Sequence, residues 1–343
     1  MDHSAVVASP RVRWEYAAPS TAALTYPFLL QGYIVSLKVG YISLAWLQLG
    51  LAFGVSLVGF IASVRLAQNP HPDASTVIAK RLAWLAVAAP PLYTGMGVLL
   101  TMAGDPMADT TLWLVFWIAV PMLGLLAARI GRHAAPPAVS SRLRVAHGIS
   151  ALAIVLLFLS MHLFNHLAGL VGEAQHRQLM ELFRHVYRAD AVEPLLVLLF
   201  GFQVVSGLQM LRSLSERPSD LLRTLQAVSA AYLVFFILAH MNSVFLYARR
   251  YAGIPTDWNF ATGAPTGLLH DGWNIRLVPH YTLGVFLVLV HLLLDARQVL
   301  LAHGRPVRRV DAWTWVGIGA AALFALAIMT GMSGVHLLNV TAY

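Results

Sequence analysis

The sequence predicts an all-α fold, a polytopic membrane helix bundle with about eight transmembrane helices. Three observations predict it. Of the 343 residues, 58% are hydrophobic and only 11% charged, against about a quarter charged in soluble proteins. The apolar residues gather into runs of roughly 20, the length that carries a helix across ~30 Å of hydrocarbon. The charged residues fall mainly between those runs. A water-exposed globule of this length has no way to bury so much apolar surface, so a lipid bilayer must cover it.

Taken in order, the runs place helices at about 41–64, 81–102, 112–130, 146–170, 192–213, 226–248, 279–302 and 312–338. Residues 1–40 read as a polar N-terminus followed by an interfacial lead-in from Ala22 to Lys38. Residues 41–130 form a three-helix N-terminal segment, 140–303 a four-helix bundle, and 304–343 a C-terminal transmembrane helix. Pro90-Pro91 and Pro121 are expected to kink or locally unwind their helices, because proline removes an amide donor and its ring crowds the preceding turn. Between the fourth and fifth runs, residues 172–191 carry a helical stripe of Leu179, Leu182, Phe183 and Val186, which predicts a surface helix in the membrane interface. The longer connection 249–278 holds Asp257, Trp258, His270, Asp271, Trp273 and Arg276 among glycines and prolines. It reads either as a functional loop or as an aromatic and ionic interface belt.

Lysine and arginine set the expected orientation. The connections after helices 1, 3, 5 and 7 hold 14 of the 23, and the opposite side, with both termini, holds 9. The positive-inside rule then puts both termini on the non-cytoplasmic face. The first hydrophobic helix would act as the insertion signal, since no cleavable signal peptide is visible. A net charge of +8 and a pI near 10 come from short groups between apolar runs. They point to anionic headgroups as partner and not to nucleic acid. The absence of cysteine excludes disulfides, Cys-ligated iron–sulfur clusters, thiolate catalysis and thioether-attached haem.

Histidine carries most of the remaining chemistry. Ionisable residues inside a membrane are costly and usually face a cofactor, an ion path or a partner. His162 and His166 lie in SMHLFNHLAGL, His240 in FILAHMNSV, and His280 and His291 in PHYTLGVFLVLVHLLLDAR. At ~1.5 Å per residue, His162, His240 and His291 fall roughly 12–18 Å below the outer surface. The strings FLSMH, FILAH and FLVLVH hint at a degenerate repeat. Two histidines at matched depth on different helices suit axial ligation of a haem iron, with the surrounding helices burying the ring. His162 and His240 are the leading pair, with His291 or His166 as substitute ligands. The alternative is an interhelical hydrogen bond at each histidine. His147, at the cytoplasmic start of the fourth helix, is expected to face the interface.

Helices 4 to 7, about residues 140–303, resemble the haem-b membrane-anchor subunit of succinate dehydrogenase and fumarate reductase. RLRVAHGISALAIVLLFLSMHLFNH is similar to that family's first helix, with His147 near its start and His162 fifteen residues on as a ligand. LQAVSAAYLVFFILAH is similar to the later helix whose histidine, here His240, closes the same haem. The chain departs from the family at FQVVSG, where Gln203 stands in place of a ligand histidine, and helices 1–3 and 8 have no counterpart there. The resemblance implies a cytochrome b-like bundle carrying haem b and exchanging electrons with quinone.

A quinone site requires hydrogen-bond donors and an apolar slot, and His280, Tyr281, Arg276 and Trp273 at the outer mouth of helix 7 are the candidates, with Tyr187 and Arg188 facing them. The reading is an integral membrane electron-transfer or quinone-reactive protein, an oxidoreductase subunit of a bacterial-type inner membrane served by a redox partner subunit. The alternative is a cofactor-free transporter with a histidine proton relay and a broken helix at Pro90-Pro91. A third reading is a membrane enzyme using an Asp271, His270 and Arg276 cluster.

Overall fold

The computed structural model describes residues 13–105, 108–130 and 138–337. The polar N-terminal stretch, the Arg132 loop and the last residues of the 304–343 segment lie outside the described residues. Among the described residues there are helices and connections and no strand. The chain is an integral, multi-pass helical membrane protein. Seven helices are long and apolar enough to cross a bilayer, or eight when one bent pair counts as a single span.

In chain order the elements are α1 (Ala18–Val39), α2 (Ile42–Ala67), α3 (Ala74–Val87), α4 (Ala89–Met102) and α5 (Asp109–Ile130). There follow α6 (Ser141–Ile154), α7 (Ser160–Ala168), α8 (Glu173–Tyr187), α9 (Val192–Ser215) and α10 (Leu221–Met241). The chain ends with α11 (Trp258–Thr262), α12 (Leu277–Ala302) and α13 (Val307–Met332). A π-helical turn, Val155–Leu159, joins α6 to α7 as one span, and a π-helical stretch, Asn242–Ala252, extends α10. The starts follow ordinary capping chemistry: Asp73, Ser140 and Asp220 each accept a backbone N–H of the first turn of α3, α6 and α10.

Pro90-Pro91 acts as expected. α3 and α4 meet at Ala88 with a 67° bend, because neither proline can donate back into the preceding turn. Pro121, by contrast, is carried inside an uninterrupted α5.

The segment from Ala22 to Lys38, read from sequence as an interfacial lead-in, is helical and packed on the bundle. It belongs to α1, a 22-residue helix that runs antiparallel to α2 and buries Tyr26 and Tyr33. Ser36 donates to Gln48 at 2.9 Å, Gln31 to Thr110 of α5 at 3.0 Å, and Trp113 Nε1 to the Ala23 carbonyl at 2.7 Å. Threonine, glutamine, tyrosine and proline dilute its apolar character, yet packing against α2 and α5 satisfies those groups.

This helix changes the topology. Tyr16 reaches Thr76, at the start of α3, at 2.7 Å. Leu337 instead donates its amide to Leu170, just past α7, at 2.8 Å. Tyr16 and Leu337 therefore sit at opposite ends of the bundle. Arg13 joins the arginine-rich end.

The segments read from sequence share one core. Trp84, Val87 and Ala88 pack with Val204, Val228 and Tyr232, and Lys80 donates to the Arg217 carbonyl at 2.8 Å. Many large apolar side chains point outward, Leu198 and Leu323 at 71% exposure each, as a lipid-facing surface requires.

Candidate functional site

Helices α6–α7, α9, α10 and α12, with α8 and with Ile328 and Met332 of α13, line a cavity of about 1380 Å³. That exceeds the ~300–1,000 Å³ usual for a small-molecule cleft. Its walls are chiefly apolar, with six histidines on them: His147, His162, His166, His176 of α8, His240 and His291.

His162 and His240 face each other across the upper cavity, their ring centres 6.1 Å apart. Imidazole nitrogens bind metals at ~2.0–2.1 Å, and the ring centre lies about 1 Å behind the nitrogen. Two imidazoles on opposite sides of one metal therefore stand about 6 Å apart. Each ring is backed by a phenylalanine one turn earlier: Phe158 stacks on His162 at 4.7 Å and Phe236 on His240 at 5.6 Å. Both histidines also adjoin a π-helical stretch, a distortion frequent at functional sites.

His291 does not join this pair. It sits beside Ser229, eleven residues or ~16 Å below His240 along α10. The depth read from sequence fails because the α12 span begins at Asn274, five residues earlier than expected. His166 stays close, 4.7 Å from His162 ring to ring, and continues through His176 at 5.2 Å.

The inner half of the cavity holds two further histidines, His147 and His291. His147 is buried rather than interfacial, its Nδ1 2.7 Å from Ser206 Oγ. Ser206 gives its own proton to the Phe202 carbonyl, so it accepts from His147 Nδ1–H and leaves Nε2 with a free lone pair. For His147 such an outer partner fixes the tautomer that a ligating imidazole needs. His291 differs: Ser229 lies 3.0 Å from its Nδ1 and donates to the Gln226 carbonyl at 3.0 Å, but its Nε2 stands 3.5 Å from Asp295 Oδ2, so a carboxylate takes that edge of the ring. Gln203 points elsewhere, donating to the His147 carbonyl and to Ser150.

The quinone candidates do not converge on one slot. Tyr281 lines the cavity, 6.3 Å from His240. His280 is buried between Phe236 and Tyr281. Arg276 is not at the outer mouth: it is 5% exposed, pairs with Asp109 at 2.8 Å and lies over Tyr93 and Trp273. The suggested Asp271, His270 and Arg276 cluster is not assembled either. Asp271 accepts the amides of Trp273 and Asn274, and His270 is exposed.

The surface helix at 172–191 is present as α8, but its inward face is His176, Met180, Arg184 and Tyr187. Leu182 and Val186 face outward. His176 accepts from Asn165 Nδ2 at 3.0 Å and packs on Trp258 at 4.5 Å. Burial, reinforced by the Arg184 guanidinium, pushes its pKa down to about 4, against a smaller upward pull from Asp257. Burial also raises the Tyr187 hydroxyl above its ordinary value.

Among the described residues no group of three or more His, Asp or Glu is arranged to hold a metal ion. No protein-family model matches the chain, no curated protein matches it in sequence, and no solved structure matches it in fold.

Proposed function

We propose that this chain is a b-type cytochrome-like membrane protein that transfers electrons through haem b held between His162 and His240. The observation that carries the reading is the 6.1 Å separation of those two rings inside a large apolar cavity. Haem would supply one-electron chemistry, with axial ligation and burial setting its potential. His162 and His240 would hold the haem iron, their rings backed by Phe158 and Phe236. The apolar walls exclude water, and Tyr281 is the quinone candidate that shares the cavity.

Quinone in the bilayer and a redox partner subunit are the proposed exchange partners, because the chain has no cysteine and no nucleotide-binding signature. The arginine-rich end would face the cytoplasm of a bacterial-type inner membrane. Tyr16 would then be cytoplasmic and Leu337 outside.

A second reading, a cofactor-free transporter, draws on the row His176, His166, His162 and His240 and on the α3–α4 break. The two readings separate in one experiment. A dithionite-reduced minus oxidised spectrum of the purified protein is expected to show a sharp band near ~560 nm, lost in His240→Ala. A flat spectrum from folded protein expressed with ample haem would sink the cytochrome and promote the histidine relay.

A further inference from the structure

The outer mouth of the cavity holds more positive charge than its neighbours neutralise. Arg184 in the last turn of α8 and Arg188 at its C-cap both reach Thr256: Arg184 Nη2 donates to its carbonyl at 2.7 Å and Arg188 Nη2 to its hydroxyl at 2.6 Å. The Nε of each is buried and has no hydrogen-bond partner. No carboxylate among the described residues lies within 4.0 Å of either guanidinium. Glu193, an acid lining this mouth, is held in a two-pronged pair by Arg249 at 2.8 and 3.0 Å. Asp257 turns its oxygen to the Phe260 amide.

Both arginines line the cavity. Tyr187 between them meets Phe158 ring to ring at 5.3 Å, and Phe158 stacks on His162. The mouth is thus coupled through two rings to the outer histidine pair. Like-charge crowding by Arg184 and Arg249 adds to burial in lowering the Arg188 pKa, the condition that an incoming anion relieves. Guanidinium forks recognise carboxylates with strong, charge-assisted hydrogen bonds.

We infer that Arg184 and Arg188 seat the carboxylates of an amphipathic ligand whose apolar body fills the upper cavity. Resting on the haem reading above, these carboxylates are the propionates of the macrocycle between His162 and His240. Sequence reasoning placed Arg188 beside a quinone. The geometry assigns it, with Arg184, to anchoring the cofactor.

The test compares haem with its dimethyl ester, in which both carboxylates are blocked, on wild type, R184Q/R188Q and R184K/R188K protein. The readout is the rate of ligand loss to a haem-scavenging acceptor. Wild type is expected to hold the free acid at least tenfold longer than the ester. R184Q/R188Q should release both alike, and the lysine variant should keep most of the preference. Equal release of acid and ester from wild type overturns the inference without any variant having to fold. So does an unchanged acid preference in R184Q/R188Q. If that variant instead loses copurifying phospholipid phosphate while its acid preference stays, the arginines hold a lipid headgroup and the inference is overturned. Wild type that binds neither acid nor ester defeats the haem reading itself, a result distinct from equal binding of the two.

Discussion

At the scale of single residues, position within the bundle decides what each ionisable group does. Asp109 and Arg276 illustrate this: both are buried, and the pair ties α5 to the start of α12. Removing one partner of a buried pair strands the other charge, at a cost of about 3–5 kcal/mol. Asp109→Ala is therefore expected to lower the unfolding temperature in detergent markedly, and D109N less so. Equal stability of D109A and wild type would mean that Arg276 is already solvated.

His176 makes a second residue-scale prediction. Its folded pKa, about 4, lies below the ordinary 6.5, so the neutral ring belongs to the docked helix. The stabilisation it contributes is complete above pH 6.5 and is lost as pH falls from there towards 4. Hydrogen exchange of residues 173–187 should quicken over that window and do so much less in His176→Gln. No change in the wild-type exchange rates across the window would refute the coupling.

Some of this was legible in the chain and some was not. The resemblance between FLSMH and FILAH has a physical basis, since in both a phenylalanine four residues earlier lies on the same helix face and stacks on the imidazole. In FLVLVH the phenylalanine stands five residues earlier, a spacing that turns it away from that face. His147 was unreadable because its serine partner lies 59 residues along the chain.

At the scale of helices, close crossings depend on small residues, as expected where lipid supplies no hydrophobic drive between helices. A Cβ on Gly331 would lie 2.6 Å from the Leu170 amide nitrogen, and one on Gly59 2.7 Å from the Ala83 carbonyl oxygen. Both obstacles are backbone and cannot swing aside. Gly331→Val is expected to push α13 off α7 and open the cavity wall formed by Ile328 and Met332. The overpacking should cost about 1–3 kcal/mol, read as a lower melting temperature. Gly319→Val, on the same helix with nothing within 4 Å of the added carbon, is the control and should behave as wild type.

The α8 helix shows how membrane context inverts a sequence rule. Its stripe of Leu179, Leu182, Phe183 and Val186 would face the core of a soluble protein, yet here Leu182 is 62% exposed while His176 is 2% exposed. Beside lipid, apolar surface is at no disadvantage outside, and polar groups gain partners by turning inward.

At the scale of the whole molecule, α1 sets Tyr16 and Leu337 at opposite ends of the bundle. The absence of cysteine makes this easy to check, because single introduced thiols report against no background. Ala17→Cys and Ser219→Cys should react with a membrane-impermeant maleimide only from the cytoplasmic face. Thr266→Cys and Ser333→Cys should react only from the outside. Labelling of positions 17 and 333 from the same face would refute the arrangement.

The sequence by itself determined that this is an all-α, multi-pass membrane protein, where its apolar spans lie, that proline breaks the second of them, and which histidines lie at membrane depth. Those features follow from local composition and from the fixed rise of a helix, and need no knowledge of neighbours. Tertiary structure alone decided that α1 belongs to the bundle, that His162 faces His240 while His291 pairs with Ser229, and that Arg276 is committed to Asp109. Each depends on which helix lies beside which and how each is rotated about its axis. In a membrane that rotation is set by scattered small and polar contacts between distant segments, not by the apolar pattern along any one of them.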